Sequence, residues 1–205
     1  MLAFTFPGQG SQRPGMGRPW VDHDSWELVD EASAVADRDV ARLLLDADAD
    51  ELKDTRNAQL TTFVSSLMVL DAVERMGIEP AYCAGHSLGE YVAAYLSGVM
   101  SLDDAVAVVA SRGRLFETLP PCWMVSVPRS AADLARLLPA TLSVAADNAP
   151  SLSVVSGPAD EVTAFARKLD LTFDILHDRS GQVERLYQTT GVPESFLLDR
   201  DGTII

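Results

Sequence analysis

Basic residues are scarce in this sequence: 16 Lys and Arg stand against 30 Asp and Glu in 205 residues, a net charge of −14. A nucleic-acid partner needs a basic footprint to neutralise its phosphates, so none is expected. The same imbalance works against any anionic substrate, and one that binds must be met by a few local cations. Cysteine is nearly absent. Cys83 and Cys122 are far apart and form no C-x-x-C pair, which leaves neither a disulfide framework nor a metal knuckle, and both read as buried thiols. No metal and no cofactor is expected. Histidine is limited to His23, His86 and His177. Long apolar runs are missing too: nothing approaches a membrane span, and the opening "MLAFTFPGQG" has neither a basic leader nor an apolar stretch long enough for a signal peptide. The chain reads as soluble and cytoplasmic, without a membrane partner.

What is present is ample apolar material, 47% of residues against 22% charged, which suits a globular chain with a buried core. "LAFTF" at 2–6 reads as a short buried strand broken by Pro7 and Gly8 and followed by a loop rich in Gly, Gln and Ser. Residues 26–57 are acidic and helical in pattern, with "DADADELKD" as a solvated face. From Thr61 to Met76, Phe63, Leu67, Leu70 and Val73 recur at helical spacing and predict a core helix stopped by Gly77. "IEPAYCAGHS" supplies a strand ending at Gly85, "LGEYVAAYLSG" a helix ending at Gly98, and Leu102 to Thr118 a further helix. Strand, turn and helix in that order build an α/β sheet. Beyond Pro121 the elements shorten to "WMVSV", "SAADLARLL", "TLSVAA", "LSVVSG", "PADEVTAFARKL" and "LTFDIL", a βαββαβ order that predicts a small split-βαβ sandwich.

"GHSLG" at 85–89 puts Ser87 between two glycines where a strand meets a helix. Gly-x-Ser-x-Gly in that context is the pattern of a nucleophile elbow, a tight turn that lifts the serine hydroxyl clear of the backbone. The Leu88 amide would then face the oxyanion formed on a carbonyl under attack, at the positive end of the following helix. A hydroxyl that merely caps that helix is the alternative. His86 should point away from the elbow and pack beneath it. Arg112 lies three and four residues from Val109, Val108, Leu115 and Phe116, beside the apolar face of its helix. There it must either snorkel to water or meet a carboxylate.

"FPGQGSQ" at 6–12 together with "GHSLGE" at 85–90 resembles the acyl-CoA:acyl-carrier-protein acyltransferases, that is, malonyl-CoA transacylases and the acyltransferase domains of polyketide synthases; "SRGRLFETLP" and "AADNAPSLSVVSGP" extend the likeness to about residue 170. The resemblance implies an α/β fold with a parallel-sheet, hydrolase-like large subdomain, truncated here, and a small ferredoxin-like subdomain. The boundaries expected are 1–121 for the large subdomain, 122–176 for the small one and 177–205 for a tail. It further implies that Ser87 takes a malonyl-type acyl group from CoA and passes it to the phosphopantetheine thiol of an acyl carrier protein, in polyketide or fatty acid biosynthesis. Gln9 would add its amide to that of Leu88 in the oxyanion hole, and Arg112 would pair with the free carboxylate of the acyl group. Gln59 and Asn148 match amide positions near the pocket, although an Asn before Ala-Pro is by itself a turn residue. Trp123, where relatives carry small residues, would either narrow the acyl pocket or fill core.

The pattern fails at the base. The family carries a histidine shortly after the small subdomain, and the corresponding position here lies closer to Val183 than to His177, which is the candidate at hand. From about Leu171 the tail "HDRSGQVERLYQTTGVPESFLLDRDGTII" resembles a thioredoxin-like redoxin, with Pro193 at its cis-proline position and a strand over 195–198. No cysteine follows Cys122, so redox activity is not expected. A junction between two fragments is expected near residue 170, with the tail strands pairing to the truncated sheet. The readings open at this point are an acyltransferase, a serine hydrolase using water as acceptor, and a non-catalytic fragment.

Overall fold

The computed structural model describes residues 1–120 and 122–169, which divide into two compact units between Thr118 and Leu119. The strand expected at 171–176, His177, Val183, Pro193, the junction expected near 170 and the strands expected in the tail all lie outside the described residues. The first unit is built on a parallel pair, β1 (Ala3–Phe6) and β2 (Tyr82–Gly85), in register from Ala3 opposite Tyr82 to Phe6 opposite Gly85. Among the described residues six α-helices accompany it: α1 (Glu27–Ala36), α2 (Val40–Leu45), α3 (Ala49–Lys53), α4 (Thr55–Arg75), α5 (Gly89–Leu96) and α6 (Leu102–Glu117). Phe6, Phe63, Val64, Leu67, Leu88, Val92, Val106 and Val109 belong to their common core.

The acidic segment does more than face water. Asp39, Asp48 and Asp54 are N-caps whose carboxylates accept backbone N–H groups in the first turns of α2, α3 and α4. Asp54 holds two, those of Arg56 and Asn57, and this is why α4 begins at Thr55 rather than at Thr61, where apolar periodicity first becomes visible. The extra turn and a half carries Asn57, Ala58 and Gln59, all buried. Gly77 and Gly98, at φ +76° and +75°, follow the ends of α4 and α5 in the left-handed conformation that glycine adopts freely.

The second unit contains β3 (Cys122–Val127), α7 (Ala131–Leu137), β4 (Ser143–Ala149), β5 (Leu152–Pro158) and α8 (Ala159–Lys168). Its sheet is antiparallel in the order β3-β5-β4, the arrangement of the first three strands of a split-βαβ sandwich. Val127, Leu134, Leu142, Val155, Val162 and Phe165 form the core, with Trp123 and Val125 packed against it. β4 runs three residues past its expected end at Ala146, through irregularities at Val144/Ala146 and Asp147/Ala149. Asn148 therefore lies in a bulged strand end rather than in a free turn. The cysteines differ from expectation as well. Cys83 is only half-buried and Cys122 is exposed, because each falls on a short strand whose face is not fully covered among the described residues.

Candidate active site

Ser87 has φ +50°, the left-handed region that a residue with a Cβ rarely enters. Strain of this kind persists only where the surroundings impose it. The two flanking glycines show how. A Cβ on Gly85 would stand 2.1 Å from the Gly89 carbonyl carbon and 2.2 Å from the Glu90 nitrogen, and one on Gly89 would stand 2.2 Å from the Phe6 oxygen. Strand β2, helix α5 and the end of β1 thus approach closer than any side chain allows. The connection left between them is so tight that Ser87 must turn left-handed. Its own side chain is exposed, whereas Leu88 is 1% exposed and rooted in the core.

Backbone bonds hold the turn: the Gly89 N–H donates to the His86 oxygen at 2.9 Å, the Glu90 N–H to the Ser87 oxygen at 3.1 Å, and the His86 N–H to the Phe6 oxygen at 3.1 Å. Leu88 stands at the N-cap of α5, where first-turn N–H groups have no acceptor inside the helix. An anion over Ser87 would meet those groups and the positive end of the helix dipole.

The Gly-Gln-Gly loop lies against this turn. A Cβ on Gly8 would come within 3.0 Å of the His86 oxygen, 3.2 Å of His86 Nδ1 and 3.6 Å of the Ser87 Cβ. Gln9, the next residue, is half-buried and accepts a hydrogen bond from Gln59 Nε2 at 3.4 Å. Gln59 is 1% exposed, and its Oε1 has no partner among the described residues. Sequence reading missed Gln12. Its Oε1 accepts the Gly10 N–H at 2.8 Å and the Thr62 hydroxyl at 3.4 Å, while its Nε2 donates to the Leu52 oxygen at 3.3 Å. Gln12 fastens the loop, with Gly10 at φ +117°, to α3 and α4. The signal available was a second amide in "GQGSQ", three residues after the first.

Arg112 lies half-buried on α6, its guanidinium carbon 4.9 Å from the centre of the Phe116 ring. Among the described residues no carboxylate comes within ion-pair distance of it, whereas Arg42, Arg56 and Arg75 are all paired. Its charge is supported by an aromatic face rather than cancelled. Gly113 beside it meets the Arg56 backbone, which lets α6 pack closely on α4.

The other candidates stand elsewhere or in other roles. Trp123 and Asn148 belong to the second unit, Trp123 against its core and Asn148 at the end of β4. His23 caps a short helical turn, its Nδ1 accepting the Ser25 N–H at 3.1 Å and its ring set edge-on to Trp20. His86 is exposed and lies along Gly8, so it does not pack beneath the turn. Among the described residues, no group of His, Cys, Asp or Glu is arranged to hold a metal ion, and no helix is long and apolar enough to cross a membrane.

Residues 3–175 match the family model described as the acyl transferase domain. Over 173 residues the chain is 38% identical to the phenolphthiocerol synthesis polyketide synthase Pks15/1 of Mycobacterium marinum, covering 80% of this chain and 8% of that one. It is 40% identical to the malonyl CoA-acyl carrier protein transacylase of Bacillus subtilis, covering 58% of this chain and 38% of the relative. Among solved structures, the acyltransferase domain from the second module of the salinomycin polyketide synthase superposes with a TM-score of 0.75 at 38% identity, over 82% of this chain and 41% of that one. The chain thus spans well under half the length of these relatives.

Proposed function

Because this chain belongs to the acyl transferase domain family, we propose that it carries a malonyl-type acyl group on Ser87, taken from CoA and destined for the phosphopantetheine thiol of an acyl carrier protein. The observation that carries the proposal is the left-handed Ser87, presented to solvent between two glycines that tolerate no side chain, with the Gly8 backbone in contact. The serine oxygen attacks the thioester carbonyl as its proton passes to the base, for which His177 is the candidate, and the tetrahedral oxyanion takes hydrogen bonds from the Leu88 and Gln9 amides. Collapse expels the CoA thiolate and leaves an acyl-serine. The carrier thiol then repeats the sequence in reverse. Arg112 grips the free carboxylate of the acyl group, and Gln59 holds Gln9 in place. The relatives named as malonyl CoA-acyl carrier protein transacylases support this substrate pair.

Subdomain limits of 1–121, 122–176 and 177–205 and a cytoplasmic setting belong to the same proposal, as do pocket roles for Asn148 and Trp123. The packing of Trp123 against the core of the second unit favours its core-filling role. His177 remains the candidate for the base.

Incubation with malonyl-CoA followed by intact-mass measurement tests the reading. A malonyl adduct that vanishes in Ser87→Ala supports it. Free malonate released without an adduct identifies a hydrolase instead, and no change in either identifies a non-catalytic chain. Arg112→Ala should lower malonyl loading about tenfold to a hundredfold relative to acetyl loading, the range for losing a charge-assisted pair; equal losses would remove the carboxylate role.

A further inference from the structure

The loop after β1 carries two side chains that hold the peptide planes on either side of Gln9. The Ser11 hydroxyl donates to the Gly8 oxygen at 3.1 Å, and that oxygen shares one planar peptide with the Gln9 N–H. Pinning the oxygen fixes the opposite direction, in which the Gln9 N–H points. The next plane carries the Gly10 N–H, which Gln12 Oε1 accepts at 2.8 Å. Neither plane can turn about the Gln9 Cα without breaking one of these bonds, and Gly10, at φ +117°, supplies the bend that lets residues 11 and 12 reach back.

Gln12 is the firmer of the two holds. Ser11 is exposed to water, which competes for its bond, while Gln12 is half-buried. Its amide also reaches off the loop, taking the Thr62 hydroxyl on Oε1 at 3.4 Å and donating from Nε2 to the Leu52 oxygen at 3.3 Å. Thr62 and Leu52 are each 2% exposed, so both anchors are rooted in the first unit. The orientation of the amide is determined as well. Gly10 offers a donor and the Leu52 carbonyl an acceptor, so a turned-over amide would set N–H against N–H and oxygen against oxygen.

We propose that Gln12 is a positioning residue for acyl transfer, aiming the Gln9 amide at the oxyanion over Ser87 through its bond to the Gly10 N–H. The inference rests on the acyltransferase reading and adds to it the residue that sets one of its two oxyanion donors. The two ends of the Gln12 amide then have separate duties: Oε1 orients the loop, and Nε2 ties it to α3. A donor misplaced by about 1 Å costs on the order of a hundredfold in rate. Substrate affinity, which the same reading gives to Arg112, does not depend on Gln12.

Two variants of the full chain separate these duties. Gln12→Met keeps the side chain's length and loses all three bonds, whereas Gln12→Glu keeps the acceptor toward Gly10 and loses the donor toward Leu52. Loading by malonyl-CoA is followed by quenched intact-mass measurement over a range of substrate concentrations, and exchange of the Gly10 amide by NMR. Gln12→Met should load about tenfold to a hundredfold slower at saturation, with the half-saturating concentration within about twofold of the parent and the Gly10 amide exchanging about tenfold faster or more. Gln12→Glu should load within about threefold of the parent although its urea midpoint also falls. A merely structural Gln12 would slow both variants in step with their lost stability. Equal slowing of the two, a parent and a Gln12→Met chain that load alike, or unaltered Gly10 exchange would each overturn this inference alone. A parent that forms no adduct would overturn the acyltransferase reading and this inference with it.

Discussion

Replacing Ser87 by glycine should make the chain more stable than replacing it by alanine, although both changes remove the hydroxyl proposed to carry the acyl group. The reason is the φ of +50° at this position. A left-handed backbone costs a residue with a Cβ about 1–2 kcal/mol, and alanine keeps that Cβ. Glycine removes the cost but adds unfolded-chain entropy that takes back roughly 0.5–1 kcal/mol. The net advantage of Ser87→Gly over Ser87→Ala is then centred on about 0.75 kcal/mol, within a span of about 0–1.5 kcal/mol. In a chain of this size 1 kcal/mol moves the thermal midpoint by about 2–4 °C, so the difference is measurable. Because the Ser87 side chain is exposed, Ser87→Ala itself should stay within about 0.5 kcal/mol of the parent. Urea titrations followed by tryptophan fluorescence read the first unit through Trp20 and Trp26. An alanine variant equal to or more stable than the glycine variant would mean that the turn holds no strain, and the argument for an elbow would lose its footing.

Gly89→Ala should lower the unfolding free energy by at least about 1–3 kcal/mol, since its Cβ would press on the Phe6 and Pro7 carbonyls, which are backbone and cannot swing aside; an unchanged urea midpoint would contradict the packing described. Asp71 is pushed up by burial, but hydrogen bonds from Ser25 and Arg75 and the Arg75 charge outweigh that and hold it below the usual carboxylate range. A depressed acid stabilises the fold above its unfolded value near ~4 and loses that contribution as pH falls through the folded one. Asp71→Ala strands the fully buried Ser25 hydroxyl and should cost about 1–3 kcal/mol at pH 7, with the gap to the parent narrowing below pH ~4; a gap constant from pH 7 to 3 would count against it. With a net charge of −14 the chain repels CoA thioesters, so malonyl loading should quicken between about 10 and 150 mM salt as the screening length drops from about 30 to 8 Å. Loading that slows with salt would show that local cations, not net charge, govern the encounter.

The parts of the fold that could be read from the residues are those in which one residue type has one use. Gly77 and Gly98 end helices because they take left-handed φ, and "GHSLG" marks the elbow because its glycines are steric requirements. α6 starts at its expected residue, since Ser101 caps it, and ends within one residue of its expected limit, since its apolar positions recur cleanly. Elements defined by polar residues were less legible. The first turns of α4 are set by the Asp54 cap and bury Asn57 and Gln59, which lie ahead of the apolar repeat that begins at Phe63. "DNAPS" reads as a turn, yet β5 pairs with Asp147 and Ala149 across an irregularity at Asn148, a tertiary effect that local propensity does not contain. The second amide of "GQGSQ" hinted at Gln12, but two of its three partners, Leu52 and Thr62, lie 40 and 50 positions away, which local pattern does not contain.

The elbow also shows which effect wins where strain and packing compete. A left-handed serine costs about 1–2 kcal/mol. The residues that hold it in place, Leu88 and Val92, are each 1% exposed, and full burial of such side chains contributes roughly 1.5–3 kcal/mol apiece. One anchor is enough to offset the strain, and two over-determine the turn. Their burial is possible only because Gly85 and Gly89 let α5 settle directly on the carbonyl end of β1. The direction of the Ser87 side chain then follows without a further cause. With Leu88 committed to the core and the Phe6 oxygen occupied by the His86 N–H, the one side left to the hydroxyl is the solvent side, beside Gly8. A substitution that loosens β1 should therefore disturb Ser87 before it disturbs any residue of the second unit.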